Sequence, residues 1–271
     1  MSTIRNKVVV ITGASSGIGR ATAIEAAKKG ASLSLAARNQ QALNSIVEEC
    51  KNLGSDAIGT ITDVSKENDC IRLMDQTVAH FGKIDVLINN AGISMRALFE
   101  FTDLSVIHKL MNVNFWGTVY CTKYALPHVL KSKGSIVGVS SIAGYKGLPG
   151  RTGYSASKFA IQGFLEALRT ENLKKNLHVL IACPGFTASN IRKIALSADG
   201  SQQGETPRDE SKMMSPEKVV FYLINAIEKR KATLVLTSMG KLTVLLSKFA
   251  PNLLEKMVYN HMAKEPDAPF K

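Results

Sequence analysis

At 271 residues, 45% hydrophobic and 21% charged, the composition is that of an ordinary globular α/β domain with a core of good size. The net charge is +12, yet no Lys/Arg block interleaved with aromatics accompanies it, which argues against a nucleic-acid partner. No apolar run reaches the roughly 18 residues a membrane-spanning helix needs.

The stretch from Met1 to Lys7 leads straight into a strand, so no secretory signal is expected. Cys50, Cys70, Cys121 and Cys183 are scattered without metal-ligand spacing. They read as reduced thiols of a cytoplasmic chain, and no metal is expected.

Val8-Val9-Val10-Ile11-Thr12 is a β-branched run of the kind found in parallel strands covered on both faces. Gly13-Ala14-Ser15-Ser16-Gly17-Ile18-Gly19 follows, and a helix is predicted from Arg20 to Lys29, stopped by Gly30. Strand, glycine turn and helix form the dinucleotide-binding arrangement. Its glycines let backbone approach a pyrophosphate at the positive end of the helix. The first gap is one residue longer than the usual fingerprint.

The second predicted strand runs from Ser32 to Ala37. An acid about 20 positions after the glycines would hold the ribose 2′-hydroxyl of NAD. Ala37 stands there, and Arg38 beside it suits the 2′-phosphate of NADP(H) through charge-assisted hydrogen bonds. A helix from Gln40 to Leu53 and a strand from Ala57 to Thr62 come next, ending at Asp63-Val64, placed to meet an adenine edge. After a helix from Asn68 to Phe81, the strand from Ile84 to Ile88 ends in Asn89-Asn90-Ala91-Gly92, small enough to lie against a cofactor. The stretch from Leu104 to Leu130 reads as mostly helical and holds Asn114, whose buried amide needs partners.

Ser135 to Ser140 reads as a buried strand ending at Ser141. Tyr154 and Lys158 lie four apart on the helix that follows, hence on one face. A neighbouring cation and a helix N-terminus would lower the tyrosine pKa from its usual value of about 10. A phenol so tuned gives a proton to a carbonyl or takes one from an alcohol. Ser141 is positioned to hold the same oxygen.

The strand from Leu177 to Ala182 ends in Cys183-Pro184-Gly185. Seven strands alternating with helices predict one doubly wound parallel sheet with helices on both faces, in a single domain. Residues 190–215 include the polar stretch from Gly200 to Met214 and read as a lid over the substrate. A last strand covers Thr233 to Leu236. Residues 240–264 form an amphipathic helical tail that covers the pocket, packs on a neighbouring subunit, or rests on a membrane surface.

Taken together, Thr12-Gly13-x-x-x-Gly17-x-Gly19, Asp63, Asn89-Asn90-Ala91-Gly92, Asn114, Ser141, Tyr154-x-x-x-Lys158 and Pro184-Gly185 resemble the short-chain dehydrogenase/reductase family across roughly residues 5–240. The resemblance implies a Rossmann-type oxidoreductase with a catalytic set of Asn114, Ser141, Tyr154 and Lys158. In that pattern Tyr154 is the acid/base and Ser141 holds the substrate oxygen. Lys158 tunes Tyr154 and binds the nicotinamide ribose, and Asn114 holds a water of the proton relay. The nucleotide would be bound by Gly13, Ser15, Ser16, Gly17, Ile18, Gly19, Arg38, Asp63, Val64, Asn90, Ala91, Gly92, Tyr154, Lys158, Pro184, Gly185, Thr187 and Ser189. Ser189 replaces the family's usual threonine against the carboxamide.

The substrate wall would comprise Met95, Ser141, Leu148, Tyr154 and Phe186, suited to a bulky lipid-like or steroid-like carbonyl or alcohol. The Ala195–Ser201 stretch resembles the subgroup of dehydrogenase/reductase member 7B, which includes an acyl-dihydroxyacetone-phosphate reductase activity. It is more distantly similar to 11β-hydroxysteroid dehydrogenases. Family members pair as homodimers or homotetramers, for which Phe115, Trp116, Phe159 and Phe164 offer apolar surface. An NADP-binding sensor without turnover is the alternative; the intact Ser-Tyr-Lys set argues against it.

Overall fold

The computed structural model describes residues 3–206, 209–265 and 267–270. Seven strands form one parallel sheet in the order β3-β2-β1-β4-β5-β6-β7. They are β1 (Val8–Thr12), β2 (Ser32–Ala37), β3 (Ala57–Ile61), β4 (Val86–Asn89), β5 (Ser135–Val139), β6 (His178–Cys183) and β7 (Thr233–Val235). The helices are α1 (Gly17–Lys28), α2 (Gln40–Asn52), α3 (Glu67–Phe81), α4 (Leu104–Leu110), α5 (Gly117–Lys131), α6 (Thr152–Glu171), α7 (Pro216–Glu228), α8 (Ser238–Phe249) and α9 (Pro251–Met262).

Alternation along each strand builds two cores. Val9 and Ile11 face α1, α2 and α7 beside Leu33, Leu43, Ile46 and Leu223. Val10 faces the other side, with Leu73 of α3, Cys121 of α5, and Ile161 and Leu165 of α6. Both faces are covered, which is why the strands read as unbroken apolar runs. Strand order reverses between β1 and β4, whose residues Val9 and Val86, Val10 and Leu87, and Ile11 and Ile88 lie in register. The loops beyond their carboxyl ends therefore part, and a crevice opens there.

Three local departures from expectation have physical causes. First, α1 begins at Gly17 rather than Arg20: Gly17, at a φ of +52°, turns the chain into the helix, and Ile18 and Gly19 belong to its first turn. Second, β4 begins at Val86 rather than Ile84. The Asp85 carboxylate accepts the Val8 amide at 2.9 Å and pairs with Lys7 and Lys83, fixing the strand entry. Third, the long helix from Leu104 is interrupted by a π turn over Met111–Trp116. Helical periodicity does not separate one register from the other.

Candidate active site

A cavity of about 650 Å³ starts at the glycine turn after β1 and ends beneath α8 and α9. Gly13, Ser15, Ser16, Gly17 and Ile18 line its first part. Gly19 lies under the turn instead: a Cβ there would sit 2.2 Å from the Gly13 carbonyl. Thr12 Oγ1 accepts the amides of Asn90 and Ala91 at 3.0 Å each. Asn90 Nδ2 donates to the Thr12 carbonyl at 2.9 Å. The turn after β1 and the loop after β4 are thus stitched into one cradle. The N-cap of α1, Ser16, makes no side-chain cap, and no acid occupies the first turn of the helix, so its amide end suits an anion.

Arg38, Asp63 and Val64 lie along the next wall, joined by Ala37 and Thr62. Arg38 is exposed and has no ion pair among the described residues. Asp63 accepts the amide and hydroxyl of Ser65 at 3.1 and 2.7 Å. Pro184, Gly185, Phe186, Thr187 and Ser189 form the opposite wall, and the Ser189 Cβ faces Gly17. These residues fit a dinucleotide: a backbone cradle at a helix start, then an exposed guanidinium next to Ala37, the position where an acid would otherwise stand.

Ala91, Gly92, Ser141, Leu148, Tyr154 and Lys158 meet in the middle of the cavity. Ser141 follows β5, and its Oγ accepts the Ala143 amide at 3.2 Å. The Tyr154 phenol and the Ser141 hydroxyl face the same part of the cavity. Lys158 Nζ lies 5.7 Å from the Tyr154 ring centre and donates to the Val139 carbonyl at 2.9 Å. Burial pulls the Lys158 ammonium down to a pKa of about 8.

The same burial corrects the expected tuning of Tyr154. Desolvation raises its pKa and outweighs the lowering by the Ser141 hydroxyl, Arg151 and Arg192. A phenol in this enclosed setting is kept protonated, which suits a proton donor.

Asn114 stands behind this group rather than on the cavity wall. It is fully buried: Oδ1 accepts the Ile93 amide at 2.8 Å, and Nδ2 donates to the Ile93 carbonyl at 3.0 Å and Ser157 Oγ at 2.9 Å. Its side chain clamps the loop after β4 to α6 at the π turn. Gly92 fits between the two groups: a Cβ there would lie 3.2 Å from Asn114 Oδ1 and 3.5 Å from Lys158 Nζ.

Met95 is a second correction. It does not line the cavity; it is fully buried in a third core with Ile93, Leu110 and Leu196. An apolar residue after a glycine turn reads the same in sequence whether it faces core or cavity.

The segment after β6 is tied down where described. Leu196 donates to the Ser94 carbonyl and accepts the Arg96 amide, both at 2.9 Å. Buried Arg192 donates to the Thr187 carbonyl at 3.0 Å and pairs with Glu210 at 2.9 Å. Pro207 and Arg208 of the expected lid lie outside the described residues.

The outer end of the cavity is roofed by Met239, Leu242 and Leu246 of α8 and Leu254 and Met257 of α9, and Arg151 and Lys264 also line the cavity. The tail's amphipathic pattern was legible; the place of Arg151, Arg192 and Thr237 on the wall was not. Among the described residues no cluster of His, Cys, Asp or Glu has metal-site geometry, and no helix is long and apolar enough to cross a membrane.

Residues 7–199 match a family model described as short chain dehydrogenase. The chain is 43% identical over 260 residues to 11-beta-hydroxysteroid dehydrogenase A of Arachis hypogaea, covering 93% of this chain and 74% of that protein. A short chain dehydrogenase/reductase from Burkholderia phymatum, solved with NAD, has a TM-score of 0.84 at 26% identity, covering 93% of this chain and 96% of that one. An alcohol dehydrogenase from the archaeon Thermococcus sibiricus, solved with 5-hydroxy-NADP, shares the fold at a TM-score of 0.75 and 24% identity, covering 84% and 93%.

Proposed function

Because the chain belongs to the short chain dehydrogenase family, we propose that it is an NADP(H)-dependent oxidoreductase that interconverts a ketone and a secondary alcohol. The observation that carries this reading is the Ser141–Tyr154–Lys158 group, set midway along a cavity that begins at a nucleotide-sized glycine cradle. The nicotinamide, when bound, supplies or accepts the hydride. Tyr154 gives its proton to the carbonyl oxygen, or takes one from the alcohol, while Ser141 holds that oxygen by a hydrogen bond. Lys158, with a pKa near 8, is able to exchange a proton near neutral pH and so to replenish Tyr154. Asn114 keeps the loop after β4 and α6 at fixed separation. Arg38 takes the 2′-phosphate, with Ser189 and Thr187 on the nicotinamide side.

The apolar roof and Leu148 and Phe186 support a bulky lipid-like or steroid-like substrate, which the Arachis relative's name also suggests. An acyl-dihydroxyacetone-phosphate-like substrate, from the 7B-like subgroup resemblance, is the alternative. Residues 190–215 act as the lid and 240–264 as the roof of a cytoplasmic enzyme. Leu245, Phe249 and Leu253 are exposed on the outer side of the tail beside Lys248 and Lys256, which favours peripheral contact with an anionic membrane surface. Exposed Trp116 and Phe159 favour a homodimer or homotetramer. The central test is Tyr154→Phe: NADPH binding should persist and carbonyl reduction should vanish. Turnover within about tenfold of wild type would sink the assignment.

A further inference from the structure

The residues after α9 return to the start of α6. Glu265 is 5% exposed, and its Oε2 lies 3.5 Å from Arg151 Nη2 and 3.8 Å from Arg96 Nε. Arg96 Nη2 donates to the Asp267 carbonyl at 2.8 Å, and Pro269 lies against Gly150. The final segment is thereby strapped across the loop that precedes α6. Arg151 is itself nearly buried, lines the cavity and is the N-cap residue of α6, one helical turn ahead of Tyr154. A guanidinium keeps its charge at any accessible pH and must be paired when buried. Glu265 meets that need from the far end of the chain.

We propose that Arg151 is a positioning residue for proton transfer: the Glu265 carboxylate holds its guanidinium at the first turn of α6, where it stabilises the ionised phenol of Tyr154. The proposal rests on Tyr154 being the acid/base. Around that phenol stand the Ser141 hydroxyl, the Cys183 thiol, and the cations of Lys158, Arg151 and Arg192. Of the two arginines, Arg151 opposes the upward push of burial more strongly. Around Glu265 stand Arg96 and Arg151, with Lys264 and Asp267 beside it in sequence. The strap therefore fixes a charge on the cavity wall one helical turn from the reacting group.

The test reads the phenol directly, in the cofactor-free chain, as tyrosinate difference absorbance between each protein and the same protein carrying Tyr154→Phe. Arg151→Gln is expected to move the midpoint upward by about half a unit to one unit. Arg151→Lys, which keeps the charge, is expected to stay near wild type. Arg151→Gln combined with Glu265→Gln leaves no carboxylate facing the missing guanidinium and is expected to show the same rise, even where the single variant folds poorly. Glu265→Gln, which frees the guanidinium from the first turn of α6, is expected to raise the midpoint in the same direction by less than Arg151→Gln. An unmoved midpoint in both Arg151→Gln proteins, a Lys variant that rises as far as the Gln variant, or a Glu265→Gln midpoint no higher than wild type overturns the proposal. Retained turnover in Tyr154→Phe removes the reading of Tyr154 on which it rests; the titration, needing no turnover, tells the two failures apart.

Discussion

Replacing Lys158 with Met should make the protein more stable near neutral pH while removing its activity. Lys158 is 4% exposed, and its pKa falls from the usual 10.5 to about 8. Keeping the charge in the folded state therefore costs about 3 kcal/mol. Met fills similar volume without charge, but the Val139 carbonyl loses its donor, which costs about 1 kcal/mol. The expected net gain near pH 7 is about 2 kcal/mol.

The sign follows from proton counts. Between pH about 8 and 10.5 the unfolded chain holds this proton and the folded chain does not, so wild-type stability rises with pH across that window. The Met variant lacks that rise, so its advantage should shrink and disappear by about pH 10. Urea denaturation of both proteins at several pH values between these limits reads the difference, and other titrating groups cancel in the comparison. A Met variant less stable than wild type near pH 7, with a gap that does not change toward pH 10, would refute the reasoning.

Arg38→Ala should weaken NADPH binding about tenfold, the lower end for a charge-assisted contact at an exposed site, and leave NADH nearly unchanged; a ratio of affinities equal to wild type refutes the phosphate assignment. Pelleting with anionic vesicles should fall when Phe249→Glu is introduced and when salt is raised, and equal pelleting of variant and wild type removes the membrane-contact reading. Light scattering at micromolar concentration should show a dimer or larger species, and a monomer alone ends the assembly proposal.

Much of the frame was legible because local chemistry dictates it. The β-branched run at Val8–Thr12 must be buried on both faces, and the glycines after it must open a turn. Tyr154 and Lys158 share a face on any helix. What escaped depends on which distant surfaces meet. The π turn over Met111–Trp116 keeps a helical pattern of apolar residues, so only the three bonds of Asn114 to Ile93 and Ser157 reveal why the register slips there. Met95 is apolar in either reading, and only the packing of Leu196 across it places it in the core. The tuning of Tyr154 was misjudged because a neighbouring cation is visible in sequence and desolvation is not.

The roof of the cavity carries a consequence for how such a chain diversifies. The nucleotide cradle and the proposed reacting groups all precede residue 190, within the span of the family match, whereas Met239, Leu242, Leu254 and Met257 follow it. Chain order thus sets the apolar roof apart from the proposed chemistry, with Leu148 and Phe186 the wall residues that precede it. Substitutions in α8 and α9 can reshape what enters while the proton-transfer group stays untouched, so specificity is free to drift at constant reaction type. The contact of Glu265 with Arg151 is where that freedom narrows, since a change there reaches back from the selecting part of the chain into the reacting part.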